Sequence, residues 1–161
     1  VLQEKPWATV GTGMKRDHNT TTSIHLDPAV LEKWNDERQA QYRVIEEMEQ
    51  RCELLNVEGA DLVLVAYGSV SRIIKTAEKE GIRLGLIRPI SLWPFPTKAF
   101  EEVIPSAKGF LVLEMSAGQM LEDVKLTVEG RRPIYFHGRM GGMIPTVSDI
   151  LSEVRQIVGK A

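Results

Sequence analysis

The sequence predicts an α/β fold: a three-layer αβα arrangement around a mainly parallel sheet of about four to five strands. Two observations carry this. Apolar runs without alternation, such as Leu62-Val63-Leu64-Val65-Ala66, read as strands buried on both faces. Each such run is followed by a segment of helical spacing, in units of roughly 25 residues, the rhythm of parallel strands joined by right-handed helical crossovers. No repeat or low-complexity segment accompanies that rhythm.

The elements follow in order. Residues 1–26 show no period and are rich in Thr and Gly, which predicts an irregular arm or linker leaving a preceding, missing N-terminal domain. A domain over residues 27–161 then opens with Asp27-Pro28, a helix N-cap followed by proline at the first helical position. Val30, Leu31, Trp34, Tyr42, Ile45 and Met48 continue a helical face, so one long helix is expected to about Leu55, with Cys52 inside it. Strand one is Leu62–Tyr67; Gly68-Ser69 turns it into a helix over Val70–Lys79 that Gly81 closes. Strand two is Ile82–Arg88. A proline loop leads to a helix from near Thr97 to before Pro105. Strand three is Gly109–Glu114, followed by a helix over Gly118–Val128 closed by Gly130. Strand four is Ile134–His137, a glycine loop follows, and Thr146 or Ser148 caps a last helix to about Val158.

Bulk properties narrow the class. The chain has 161 residues, 43% hydrophobic and 26% charged, enough for one substantial core. A net charge of -2 offers no electrostatic case for nucleic acid or an anionic membrane. No apolar run approaches a membrane span, and the first residues lack the basic, apolar and small-residue order expected of a signal peptide. The one cysteine excludes an internal disulfide and an iron–sulfur cluster held by this chain alone, and it points to a reducing, cytoplasmic compartment. A start on Val1 reads as a piece of something longer.

The loop after strand two, Arg88-Pro89-Ile90-Ser91-Leu92-Trp93-Pro94-Phe95-Pro96, is organised by its three prolines, which stop the strand and forbid helix. It carries three large apolar side chains, Leu92, Trp93 and Phe95, that must pack on something. Either they fold back on their own domain, or they present apolar area to a partner chain.

In a parallel sheet ligands gather at the carboxyl ends of the strands. That edge holds Gly68, Ser69, Arg88, Glu114, Ser116, Gly118, Gln119, His137 and Arg139. Helix N-termini at Gly68 and Gly118, with the guanidinium groups of Arg88 and Arg139, are compatible with a phosphate-bearing molecule such as coenzyme A. The competing reading pairs Arg88 with Glu114 and leaves the glycines to make turns. His18, His25 and His137 lack metal spacing, so no metal site is expected. His18, in a polar arm, is expected in solvent or at an interface. Ser69 and Ser116 lack a recognisable histidine–acid partnership, so no catalytic residue is assigned.

Four stretches together resemble a known family. They are Lys5-Pro6-Trp7-Ala8 with the Thr-rich arm, the proline loop, Glu114-Met115-Ser116-Ala117-Gly118-Gln119-Met120 running into Glu122-Asp123-Val124, and Gly138-Arg139-Met140-Gly141-Gly142. The chain resembles the C-terminal part of the alpha subunit of 2-oxoacid:ferredoxin oxidoreductases, most of all the branched-chain (2-oxoisovalerate) branch. That resemblance implies a fold similar to the transketolase C-terminal domain. It also implies a parent complex that converts a 2-oxoacid to an acyl-coenzyme A and passes electrons to ferredoxin, using thiamine diphosphate, magnesium, iron–sulfur clusters and coenzyme A. The chain departs from the cofactor-bearing parts of such enzymes. It has no Gly-Asp-Gly followed by Asn for a magnesium diphosphate and no cysteine set for clusters. The resemblance therefore implies a domain that binds none of these cofactors by itself, is inactive alone, and positions other subunits through His18, Leu92, Trp93, Phe95 and Ser116. Self-association stays open, and the alternative is a coenzyme A-binding module at the strand edge.

Overall fold

The computed structural model describes residues 3, 5, 11, 13, 15, 17, 18, 23–77 and 83–159. Residues Val1–Gln41 form one compact unit and Tyr42–Ala161 a second. Most of the arm over 1–26 lies outside the described residues. In the first unit helix α1 (Pro28–Met48) begins, with the Asp27 carboxylate accepting the backbone N–H of Ala29 at 2.9 Å, the N-cap read from Asp27-Pro28. No residue of α1 is buried. The rings of His25 and Trp34 stack at 5.2 Å.

The second unit holds the sheet. After the last turns of α1 come β1 (Cys52–Leu55), β2 (Leu62–Val65), α2 (Gly68–Ala77), β3 (Leu84–Pro89), α3 (Thr97–Val103), β4 (Phe110–Glu114), α4 (Gln119–Val128), β5 (Ile134–Gly138) and α5 (Val147–Val158). The strand order is β1-β3-β2-β4-β5. All pairs are parallel except β1 with β3, where Leu54 lies opposite Ile87.

Side-chain alternation assigns the layers. Val63, Val65, Phe110 and Val112 point to a core shared with Phe100 of α3 and Val124 of α4. Leu62, Leu64, Leu111 and Leu113 point the other way, to Val70 of α2 and Ile150 and Val154 of α5. Strands β2 and β4 are buried at every position, which is why their sequences run apolar without alternation. The result is the three-layer αβα arrangement expected.

One element differs from the sequence expectation. The long helix stops at Met48 rather than near Leu55, and Cys52 sits in an antiparallel edge strand. The backbone of Arg51 is claimed elsewhere: its N–H donates to Ser91 Oγ at 2.9 Å, and its carbonyl accepts the N–H groups of Ile90 and Ser91. Those bonds across the fold replace the helical ladder. The expected helix end at Lys79 and Gly81, and the start of strand two at Ile82, lie outside the described residues.

Candidate functional site

The sheet's connections reverse direction at β2. From β2 the chain passes through α2, on one face, to β3. From β4 it passes through α4, on the other face, to β5. The loops that follow β2 and β4 therefore diverge, and such a switch point opens a crevice at the carboxyl ends of the strands. An open cavity of about 140 Å³ lies there, lined by Tyr67, Gly68, Ser69 and Val70 after β2 and by Leu113, Glu114, Met115 and Ser116 of β4 and its loop.

Glu114 is the anchor of this edge. It is 2% exposed, at the last position of β4. Its carboxylate accepts the hydroxyl of Ser116 and the backbone N–H groups of Met120 at 3.2 Å and Leu121 at 3.1 Å. Gly118, which precedes α4, has φ of 116° and no side chain to cap the helix. The orphan N–H groups of the first turn are thus served by the carboxylate of the preceding strand, which also meets the helix dipole favourably. The expected pairing of Arg88 with Glu114 does not occur. Arg88 Nη1 lies 2.6 Å from Glu53 Oε2, because β1 intrudes as the neighbour of β3 and supplies the carboxylate.

The neighbouring strand is tied to the same loop. The N–H of Arg139 donates to the Glu114 carbonyl at 3.1 Å. A Cβ built on Gly138 would lie 2.5 Å from the carbonyl oxygen of Ser116, so glycine alone fits that approach. Arg139 Nη1 is 3.5 Å from Asp149 on the first turn of α5. His137 Nδ1 is 3.5 Å from Glu153 Oε1, and its Nε2 is buried with no hydrogen-bond partner among the described residues.

The predicted residues therefore do not form one site. Gly68, Ser69 and Ser116 meet at the crevice, while Gly118 and Gln119 open α4 beside it. Arg88 and Arg139 are each committed to a carboxylate, and among the described residues no arginine or lysine lines the crevice. His18 is exposed in the first unit.

The proline loop divides. Pro94 and Pro96 are buried, and Phe95 stacks on Phe100 of the core at 5.5 Å. Leu92 and Trp93 stand out at 46% and 56% exposure. Trp93 precedes a cis peptide bond to Pro94 and meets the Tyr42 ring edge-to-face, with centroids 5.3 Å apart. A notch of about 350 Å³ opens here, lined by Tyr42, Glu46 and Trp93. The sequence gives Tyr42, Glu46 and Gln50 at a spacing of four, one face of a helix, but nothing in it joins that face to Trp93.

Fold and crevice define a doubly wound α/β domain whose strand carboxyl edge is built around a buried glutamate. Residues 60–150 match the family described as pyruvate:ferredoxin oxidoreductase core domain II. The chain is 42% identical over 159 residues to the ketoisovalerate oxidoreductase subunit VorB of Methanothermobacter marburgensis, covering 96% of this chain and 45% of that subunit. It is 34% identical over 101 residues to the 2-oxoglutarate synthase subunit KorA of the same organism, covering 60% of this chain and 27% of that one. It belongs to the pyruvate:ferredoxin oxidoreductase core domain II family. The chain spans about half the length of the ketoisovalerate oxidoreductase subunits it matches.

Solved structures share the fold. A 2-oxoglutarate:ferredoxin oxidoreductase from Magnetococcus marinus, with 2-oxoglutarate, coenzyme A and succinyl-CoA bound, superposes with a TM-score of 0.67 at 22% identity, over 88% of this chain and 25% of that one. A split-gene transketolase, an inactive beta4 tetramer, gives a TM-score of 0.56 at 21% identity, over 68% of this chain and 41% of that one. The expected likeness to transketolase thus holds at the level of the fold.

Proposed function

We propose that this chain is part of a subunit of a branched-chain 2-oxoacid:ferredoxin oxidoreductase, and that it serves there as an assembly domain. In this reading the complex breaks the bond between the carboxylate and carbonyl carbons of 2-oxoisovalerate and releases carbon dioxide. The acyl carbon joins the sulfur of coenzyme A as the thiol gives up its proton, and the two electrons freed go to ferredoxin.

The described residues of this chain offer no set that suits the cofactors carrying such chemistry. Among the described residues no group of three His, Cys, Asp or Glu side chains is placed to hold a metal ion. Among the described residues the crevice also has none of the cations that a diphosphate would call for. We therefore assign thiamine diphosphate, magnesium, clusters and coenzyme A to other parts of the complex, and no chemical step to this chain.

The observation that carries the assembly reading is the proline loop. Its backbone is held by Pro94, Pro96 and Phe95 in the core, yet Leu92 and Trp93 keep about half of their surface in water. Rigidly presented aromatic area of that kind supports docking of a neighbouring subunit. The test is Trp93→Ala, purified with the other parts of the oxidoreductase. Weakened association with a folded domain is the expected result, and a complex of undiminished stability would remove the loop from the interface.

A further inference from the structure

The notch beside the proline loop has a chemistry of its own. Tyr42 and Trp93 form two of its walls, and their edge-to-face contact sets the angle of the indole, which remains 56% exposed. Glu46 forms the third wall. Among the described residues it makes no ion pair, in contrast to the two glutamates that follow it. Glu47 pairs with Lys98, and Glu49 with Arg51. Lys98 is further engaged, donating from Nζ to the Glu47 carbonyl at 2.9 Å. Gln50 is engaged as well: its amide nitrogen donates to the Glu46 carbonyl, and its amide oxygen accepts the N–H of Lys98. Among the described residues no cation lines the notch.

A planar aromatic face beside an unpaired carboxylate is complementary to a flat cation. The indole quadrupole attracts positive charge over the ring, and a guanidinium can stack there while its N–H groups reach the carboxylate. An ammonium group would meet the charge but not the flat face. We propose that Tyr42, Glu46 and Trp93 seat the guanidinium of an arginine side chain on a partner subunit. This rests on the assembly reading and names the chemistry by which the loop recognises its neighbour.

The test has two arms. In the first, the 161-residue chain labelled with nitrogen-15 is titrated with L-argininamide and with L-citrullinamide, its uncharged analogue. The indole N–H resonance of Trp93 is assigned by Trp93→Phe. The expected result is a saturable shift of that resonance with argininamide and none with citrullinamide. Glu46→Gln, which removes the charge and keeps the shape, is expected to weaken binding by about fivefold or more. An equal response to citrullinamide, no saturable response, or indifference to Glu46→Gln overturns the proposal.

In the second arm Glu46→Gln and Trp93→Ala are each assembled with the other parts of the oxidoreductase, and spectra of the free variants verify folding. Both are expected to weaken association. If Trp93→Ala alone does so, the arginine seat is wrong and the assembly surface stands. If neither does, both readings fall together.

Discussion

The Glu114 carboxylate reaches past the end of its own strand and accepts the N–H of Leu121 at 3.1 Å, inside the first turn of the following helix. With the bonds from Met120 and Ser116, one buried carboxylate satisfies three donors and clamps β4, its loop and α4 into one piece. Glutamine has the same shape but turns an NH₂ group toward N–H donors, so at least one donor loses its acceptor in a buried site. We expect Glu114→Gln to destabilise the chain by about 2–4 kcal/mol, a fall in the thermal midpoint of roughly 5–12 °C. Thermal unfolding followed by circular dichroism measures this. A loss below about 0.5 kcal/mol would mean that the clamp is replaceable by water. Ser116→Ala, which removes one hydroxyl donor, should cost only about 1 kcal/mol.

The same loop limits what can stand at Gly138. An added methyl would meet the Ser116 carbonyl oxygen at 2.5 Å and the Phe136 ring at a similar distance. The ring can turn, but the carbonyl can retreat only with the loop that carries Ser116. Gly138→Ala is therefore expected to cost about 1–3 kcal/mol and to move amide resonances of residues 115–121 more than those of α2. Unaltered stability and spectra would show that the two strand ends are further apart than described. Gly142, whose Cβ would meet nothing within 4 Å, is a poor control because its φ is 83°.

How much of this was legible in the sequence depends on the distance over which each feature is decided. Strands β2 and β4 were legible because burial on both faces writes itself into consecutive residues, Leu62 to Val65 and Phe110 to Leu113. The N-cap at Asp27 was legible because capping is settled within three residues, and the last cap was narrowed to Thr146 or Ser148, of which the structure selects Thr146. Strand β1 was not. Ile45, Met48, Cys52 and Leu55 continue a helical spacing, and only the remote Ser91 and Ile90 pull Arg51 out of the helix. Missing β1 also hid the partner of Arg88, since Glu53 comes with that strand. The crevice followed from the rule for parallel sheets, whereas the notch at Trp93 needed the contact with Tyr42 that no local pattern announces.

Cys52 offers a direct check on that strand. Burial between β1 and the core pushes its thiol up to about 11, against the weaker opposing pull of the backbone hydrogen bonds it donates to Glu53 and Arg88. At pH 8 the thiolate is then scarce, and alkylation by iodoacetamide should run about a hundredfold slower in the native chain than in denaturant. The sign for stability follows from the raised value. The contribution is complete below the ordinary thiol range and is lost as pH climbs through about 11, because the unfolded chain ionises first. Native alkylation at the unfolded rate would place Cys52 in solvent and unmake β1.

Helix α5 closes the second core, and its start rests on a reciprocal cap. The Thr146 hydroxyl accepts the N–H of Asp149 at 3.1 Å, and the Asp149 carboxylate accepts the N–H of Thr146 at 3.0 Å. Thr146→Ala should cost about 1 kcal/mol. The hydrogen bonds from Thr146, and after them the charge of Arg139, hold the Asp149 carboxyl below the usual carboxylate range. A lowered folded value makes the contribution complete above the unfolded value and loses it as pH falls through the folded one. Asp149→Asn keeps an oxygen for the Thr146 N–H but cannot titrate. The stability difference between the native chain and Asp149→Asn should therefore be constant from neutral pH down to about pH 4 and shrink below it, as urea unfolding at a series of pH values would report. A difference that stays flat to about pH 2.5 would assign the cap to geometry alone and leave Asp149 without an electrostatic part.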